Sequence, residues 1–325
     1  MNQPSFAADT FPKLLLEHAR LRGNQVSIRE KNLGIWQSWT WSQAAAEVRA
    51  LACGLATMGV RRGDNLAIIG DNRPRLYWAM AAAQCLCGVA VPLYQDAIAD
   101  EMAFILENAD IRVAIAEDQE QVDKLLEIKP RLPKLEMVIY DDPRGMRHYR
   151  HAFLRPYADV QKDGREFDDA HPGWFAHEVE RGSAADIAVM LYTSGTTGKP
   201  KGVCHTHASL SAAARGGCTF DGLGPGDEII SYLPMAWVGD NLFSYGQALV
   251  SGFTVNCPES SETVMNDMRE VGPTYFFGPP RVFESLLTQV MIRMEDAARI
   301  KRALFHYFLG VARRCGADCW MTSHA

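Results

Sequence analysis

The sequence predicts an α/β fold in which parallel sheets are flanked by helices. Short apolar runs alternate with longer segments of helical periodicity between residues 35 and 140, and the alternation resumes after residue 184. Strands and helices that alternate at these lengths are typical of a parallel sheet with helices on its faces. The chain has 325 residues, beyond the size at which a single core keeps growing, so we expect two subdomains.

The first α/β subdomain is predicted over residues 1–180. Thr40 and Gln43 stand three residues apart, as in a capping box that starts a helix, and Gly59 ends that helix. The predicted elements are helix 11–22, strand 35–40, a helix from 40 to 59, strand 66–69, helix 72–88, strand 89–93, helix 100–108, strand 113–116, helix 119–128 and strand 137–140.

Residues 141–183 break this pattern and are predicted to form a polar connection between the subdomains, with one or two short helices. Four histidines in this segment lack a carboxylate or cysteine at ligand spacing, which favours solvated surface residues over a metal site. They are His148, His151, His171 and His177.

The second α/β part is predicted over residues 184–312 and carries a glycine-rich loop after its first strand. Residues 313–325 are expected to form an irregular tail. The predicted elements are strand 187–192, helix 208–218, strand 229–233, helix 241–249, strand 253–256, helix 262–270, strand 275–277, helix 281–294 and helix 300–311.

Composition narrows the class of protein. The net charge of −6 and the pI near 5.9 argue against a nucleic-acid partner, which would favour a basic face. The eight cysteines include no C-x-x-C pair, so we expect reduced thiols in a cytoplasmic protein. The longest apolar run, residues 79–93, is interrupted by Gln84, Gly88 and Pro92 and is not predicted to span a membrane. Peripheral membrane contact and homodimer formation both stay open.

Residues 190–202 read M-L-Y-T-S-G-T-T-G-K-P-K-G and follow a buried apolar strand. Glycines let the backbone approach a ligand, consecutive N–H groups form a concave site for anions, and two lysines add positive charge. We therefore predict a polyphosphate site, with a solvated hairpin loop as the alternative. A Walker loop is excluded because Thr193 stands where glycine is needed and Pro200 follows Lys199. No G-x-G-x-x-G opens a helix, so the dinucleotide fingerprint is also missing.

The run Y-T-S-G-T-T-G-K-P-K-G at residues 192–202 resembles the signature of the adenylate-forming superfamily, which includes acyl-CoA synthetases, luciferases and adenylation domains. The resemblance extends from about residue 11 to about residue 310 and is most specific at this loop. It implies the amino-terminal domain of that family, in which the loop holds the β- and γ-phosphates of ATP and Thr193 is a hydroxyl ligand of Mg²⁺. The implied phosphate-binding residues are Thr193, Ser194, Gly195, Thr196, Thr197, Gly198, Lys199 and Lys201.

Two further segments resemble long-chain acyl-CoA synthetases and imply a carboxylic-acid pocket. Trp237 ends the run P-M-A-W, where the resemblance implies a wall of the acyl site, and a core tryptophan is the alternative. In the run G-P-P-R-V-F-E, Gly278 lets a ligand approach the backbone, and Arg281 either neutralises an anion or pairs with a carboxylate one helical turn on. His205 and His207 alternate on a short strand and face opposite sides, and the resemblance favours His207 at the acyl site.

These features together imply ATP-dependent activation of a long-chain fatty acid. The carboxylate attacks the α-phosphorus of ATP to form an acyl-adenylate, and the thiol of CoA then captures the acyl group. Two anions must meet in the first step, so catalysis depends on positioning and charge neutralisation. The implied partners are ATP, a carboxylic acid and CoA, with Mg²⁺ as cofactor, and no protein nucleophile is needed.

The chain departs from the family pattern in its later part. The motifs Y-G-x-T-E and T-G-D, which in the family serve adenine, Mg²⁺ and ribose binding, have no match. We expect the carboxy-terminal domain of the family, with its adenylation lysine, to be absent. We therefore expect an incomplete fold that corresponds to the amino-terminal part of the enzyme and is inactive alone. Two alternatives stay open, an aryl- or medium-chain acid CoA ligase and a non-catalytic truncated remnant.

Overall fold

The computed structural model describes residues 8–193 and 199–322, with side chains described as far as residue 316. The chain forms two compact units, which divide between residues 275 and 276. Its strands, numbered in chain order, are β1 (Val26–Asn32), β2 (Ile35–Thr40), β3 (Asn65–Ile69), β4 (Val89–Leu93), β5 (Val113–Ala116), β6 (Met137–Tyr140), β7 (Leu154–Pro156), β8 (Ile187–Thr193), β9 (Lys201–Thr206), β10 (Glu228–Ile230) and β11 (Thr254–Cys257).

Helices separate most of these strands. They are α1 (Phe11–Arg22), α2 (Trp41–Thr57), α3 (Pro74–Cys85), α4 (Ala99–Asn108), α5 (Gln119–Ile128), α6 (Tyr157–Ala170), α7 (Trp174–Glu180), α8 (His207–Asp221), α9 (Val238–Asp240), α10 (Gln247–Ser251), α11 (Val264–Val271), α12 (Pro280–Glu295) and α13 (Arg299–Thr322). A π-helix, Asn241–Gly246, joins α9 to α10, and short 3-10 turns occupy Lys129–Arg131 and Met146–His148.

The larger sheet has seven strands in the order β7-β6-β5-β3-β4-β8-β9, and all its neighbours are parallel except β8 and β9. Only a short segment joins β8 to β9, and a parallel pair needs a crossover of a dozen or more residues, so this pair is antiparallel. The predicted α/β class with helix-flanked sheets is confirmed. Strands from both sides of residue 180 share this sheet, and the predicted division into subdomains stays a prediction.

Core packing covers both faces of the larger sheet. Leu66 and Ile68 of β3 join one buried cluster, whereas Ala67 and Ile69, the alternate residues, join a second cluster on the opposite face. This alternation follows from the two-residue period of a strand and explains why β3 is apolar from Leu66 to Ile69.

A smaller sheet has the order β10-β11-β1-β2. Strand β1 pairs in parallel with β11 and antiparallel with β2. The predicted capping box is present at the end of β2, where Thr40 accepts from the Gln43 backbone N–H and the Gln43 side chain accepts from the Thr40 N–H. It terminates the strand and starts α2.

The predicted connection at 141–183 contains β7, α6 and α7, which makes it more regular than expected. Helix α6 lies against α2 at very short range. A Cβ atom added to Gly164 would lie 1.8 Å from the Ala50 carbonyl oxygen, and one added to Gly54 would lie 2.1 Å from the Val160 carbonyl oxygen. The buried residues of α6 are Tyr157, Val160, Gln161 and Gly164, of which only the first two are apolar. Hydrophobic periodicity therefore predicted a shorter helix than the structure contains.

The second compact unit contains α12 and α13. The irregular tail predicted from residue 313 is corrected, because α13 continues to Thr322. Arg313, Arg314 and Gly316 form a helix stop signal, but the helix does not end there. The predicted strand at 275–277 is also absent. Instead, Thr274 and Tyr275 donate their backbone N–H groups to the Glu228 carbonyl at 3.0 and 3.2 Å without forming a regular ladder.

Candidate functional site

A cavity of about 770 Å³ lies where the parallel strands β4 and β8 end. The carboxyl ends of parallel strands are the usual place for a ligand site in α/β sheets. The cavity is lined by Tyr94, Asp96, Ala97, Glu101, Ile105, Leu191, Tyr192, Thr193, Pro200, Val203, His205, Ala236, Trp237 and Val238.

Local geometry explains how these side chains reach the cavity. Glu101 and Ile105 are one turn apart on α4 and share a helix face, while Val203 and His205 are two residues apart on β9 and share a strand face. Tyr192 is held in place because its hydroxyl donates to Asn108 Oδ1 at 2.6 Å. Burial raises the pKa of the Tyr192 phenol, so it stays protonated at neutral pH.

Three of the predicted phosphate-binding residues are described. Thr193 is the last residue of β8, lines the cavity and lies opposite Lys201 in the strand register. The Lys199 ammonium lies 5.5 Å from the ring centroid of Phe104 on α4, within the range of a cation–π contact. The other predicted members of this loop, Ser194, Gly195, Thr196, Thr197 and Gly198, lie outside the described residues.

His207 does not line the cavity, so the structure offers no support for its predicted role at the acyl site. Thr206 caps α8, and His207 is already the first helical residue, so it no longer follows strand alternation. Its Nδ1 accepts the Phe11 backbone N–H at 3.3 Å, and burial lowers the pKa of the ring to about 4, which keeps it neutral. His205 is the histidine that lines the cavity.

Trp237 lines the cavity beside Ala236 and Val238, and its role at an acyl site stays a prediction. Gly278 and Arg281 lie in the second compact unit, so their role at an acid site stays a prediction. Among the described side chains, no ion pair joins Arg281 to Glu284.

A buried hydrogen-bond network lies next to Trp237 along the chain. The carboxylate of Asp240 is 1% exposed and accepts from Asn72 Nδ2 at 3.0 Å, from the Tyr77 hydroxyl at 2.7 Å and from Ser231 Oγ at 3.4 Å. Burial raises the pKa of Asp240 to about 6, against the opposing effect of these bonds and one from Ser244. The network ties α9 to α3 and to the chain just after β10.

The lining divides by chemistry. Ile105, Leu191, Val203, Ala236 and Trp237 give one apolar group, suited to a hydrocarbon chain. A second group of Asp96, Glu101, Thr193 and His205 offers oxygen donors and an imidazole. The cavity is therefore amphipathic, with room for an apolar ligand that ends in a polar group.

Sequence reasoning missed Tyr94, Asp96 and Glu101. The first two follow β4 directly, so the rule that sites form at the carboxyl ends of parallel strands could have identified them. Glu101 lies in the first turn of α4, where acidic residues are common because they interact favourably with the helix dipole. Nothing in the sequence therefore distinguished it as a site residue.

Within the described part of the chain, no group of three or more histidine, cysteine, aspartate and glutamate residues is placed to hold a metal ion. No described helix combines the length and the apolar character needed to cross a membrane.

Comparison with known proteins gives a consistent picture. A family model described as AMP-binding enzyme matches residues 15–323. The long-chain-fatty-acid–CoA ligase ACSBG2 of Rattus norvegicus is 28% identical over 308 residues, which cover 91% of this chain and 45% of that ligase. The ligase ACSBG1 of Homo sapiens is 23% identical over 319 residues, which cover 95% of this chain and 43% of that ligase. The chain thus spans less than half the length of these relatives.

Solved structures resemble the fold. The anthranilate CoA ligase AuaEII in complex with anthranoyl-AMP gives a TM-score of 0.72 at 20% identity, covering 85% of this chain and 50% of that one. A long-chain-fatty-acid–CoA ligase, FadD1, from Archaeoglobus fulgidus gives 0.69 at 17% identity, covering 84% and 51%. At these identities the likeness establishes the fold.

Proposed function

Since the chain belongs to the family of AMP-binding enzymes, we propose that it provides the ATP- and acid-binding part of an acid–CoA ligase that acts on long-chain fatty acids. One observation carries the proposal. The cavity at the ends of β4 and β8 brings together Thr193, from the predicted phosphate loop, and Trp237, from the predicted acyl segment, although 44 positions separate them in the sequence (237 − 193).

The apolar lining would hold the hydrocarbon chain, and the end of β8 would hold the polyphosphate. The substrate carboxylate oxygen would bond to the α-phosphorus of ATP as the bond to pyrophosphate breaks. The thiol of CoA would then attack the acyl carbonyl and release AMP. Lys199, in the predicted loop, and Lys201, opposite Thr193 in the strand register, would reduce the repulsion between the two anions.

A Mg²⁺ ion fits the oxygen atoms among the polar residues that line the cavity. Thr193, Asp96 and Glu101 offer only oxygen atoms, the donors that Mg²⁺ prefers, and Thr193 is the residue that the family resemblance implies. When bound with ATP, the ion would neutralise phosphate charge. The carboxylates of Asp96 and Glu101 would otherwise repel a triphosphate, so a cation on this side is consistent with the charge of the cavity.

Exchange of labelled pyrophosphate into ATP tests the first half-reaction in the presence of Mg²⁺ and palmitate. Palmitate-dependent exchange that Thr193→Val abolishes would support the proposal and overturn the expectation that the chain is inactive alone, since this change removes the hydroxyl and keeps the shape. Thr219→Val is the matched control, because the Thr219 hydroxyl is exposed and donates to the Arg215 carbonyl of its own helix.

A second candidate is a ligase for aryl or medium-chain acids, favoured by the fold likeness to a structure named for anthranilate. Faster exchange with benzoate or octanoate than with palmitate would select it. No exchange with any of the three acids would contradict a catalytic role for this chain and support a non-catalytic remnant.

A further inference from the structure

We propose that Gly239 is a positioning residue that fixes the orientation of the Trp237 indole and thereby determines which acids the cavity accepts. The selectivity part of this inference rests on the proposed function, because it assumes that the cavity holds the hydrocarbon part of a carboxylic acid. The orientation part depends on the geometry around residue 239 alone.

The Trp237 ring lies directly against Gly239. A Cβ atom at position 239 would lie 2.0 Å from Cζ3, 2.3 Å from Cε3 and 2.5 Å from Cη2 of the indole. Carbon atoms in van der Waals contact stay about 3.5–4.0 Å apart, so even a methyl group cannot coexist with the ring in this position. Gly239 has no positive φ, so alanine suits its backbone, and the three nearest atoms that its Cβ would meet all belong to the indole.

The main chain around Trp237 is fixed, which leaves the ring as the part that moves. The Trp237 N–H donates to the Pro234 carbonyl at 2.9 Å, and Asn241 Nδ2 donates to the Met235 carbonyl at 2.6 Å and to the Trp237 carbonyl at 3.3 Å. On the other side of Gly239, the buried Asp240 carboxylate is bound to α3 and to Ser231. A side chain at 239 therefore forces a new Trp237 rotamer.

The indole is the largest group in its part of the cavity wall, since its neighbours there are Ala236 and Val238. A change in its rotamer alters the wall by far more than one methylene. A single methylene in an apolar pocket already changes selectivity by roughly tenfold or more. Residue 239 thus determines acid selectivity through Trp237, although it is not itself among the lining residues.

The experiment uses ¹⁵N-labelled protein and the indole Nε1–H resonance of Trp237, assigned by its loss in Trp237→Phe. We expect Gly239→Ala to shift this resonance. Gly216→Ala is the matched control, because Gly216 lies exposed on α8 with no atom within 4 Å of an added Cβ, and it should leave the resonance in place. Dissociation constants for octanoate and dodecanoate are then measured by calorimetry for the wild type and both variants.

We expect the ratio of the two dissociation constants to change at least fivefold in Gly239→Ala and to stay the same in Gly216→Ala. An unmoved indole resonance in Gly239→Ala overturns the inference, whether or not acids bind. A shifted resonance with an unchanged ratio overturns the selectivity part and supports the orientation part. If neither acid binds the wild type, the proposed function has failed, and the resonance still decides the orientation.

Discussion

Replacement of Gly164 by alanine should destabilise the protein strongly, although alanine favours helices. Gly164 lies where α6 crosses α2, and an added Cβ would be 1.8 Å from the Ala50 carbonyl oxygen and 2.5 Å from the Gly54 nitrogen. Both are backbone atoms within a helix, so neither can rotate away. The two helices would have to separate.

The size of the effect follows from this overlap. Carbon and carbonyl oxygen atoms in close contact are about 3.3–3.6 Å apart, so the helices must separate by about 1.5 Å. Overpacking of this kind costs about 1–3 kcal/mol and sometimes more, and contact with fixed backbone favours the upper end. The intrinsic preference for alanine over glycine returns about 1 kcal/mol. We therefore expect a net loss of about 2 kcal/mol or more in the free energy of unfolding.

Urea denaturation followed by circular dichroism measures this loss. Gly216→Ala is again the control, because its site is helical and unobstructed, and it should gain up to about 1 kcal/mol. A Gly164→Ala variant as stable as the wild type would refute the close crossing of α2 and α6.

Three further changes test buried polar groups. Burial raises the pKa of Asp240 from the usual 3.8 to about 6, so its contribution to stability is complete below pH 3.8 and is lost as the pH rises through 6. On acidification from pH 7 to pH 5 the wild type should therefore gain about 1 kcal/mol in the free energy of unfolding, measured by urea titration, and Asp240→Asn should lack this gain. The same gain in the variant would contradict the burial of Asp240. Burial lowers the pKa of His207 from 6.5 to about 4, so its contribution to stability is complete above pH 6.5 and falls as the pH falls. The wild type should therefore lose about 2 kcal/mol in the free energy of unfolding through this residue between pH 7 and pH 5, and His207→Gln should not show this loss. Equal losses in the two proteins would contradict the burial of a neutral His207. Tyr245→Phe should lower the free energy of unfolding by about 1–2 kcal/mol in a urea titration, because it leaves Oε1 of buried Gln84 without its hydrogen-bond donor. Tyr307 is exposed, so the control Tyr307→Phe should lower it by less than about 0.5 kcal/mol. Similar losses in the two variants would argue against the hydrogen bond from Tyr245 to Gln84.

The sequence predicted those parts of the fold that depend on local signals. The capping box of Thr40 and Gln43, the alternation from β3 to β6 and the apolar strand β8 are all present. Each is encoded within a few residues, as a period, a cap or a turn.

The parts that the sequence did not predict depend on distant contacts or on a boundary shifted by one residue. Helix α6 was not predicted at its full length because part of its buried face is Gln161 and Gly164. These residues pack against α2 but do not form an apolar stripe that hydrophobic periodicity can detect. The prediction placed His207 on a strand, but Thr206 caps α8 and His207 is its first residue. The histidine that lines the cavity is His205. Pairing of β1 with β11 has no local signal at all.

That last pairing has a consequence for biosynthesis. Side chains of β1 and β11 that meet in the folded protein, Arg29 and Asn256, are separated by 227 positions in the chain. A ribosome that adds about 5–20 residues each second would leave β1 without its parallel neighbour for roughly 10–45 seconds. During that interval the edge of the β1–β2 hairpin presents unpaired N–H and C=O groups to any other extended polypeptide. Shielding of the β1–β2 hairpin by chaperones during this interval would therefore prevent its edge from pairing with another chain.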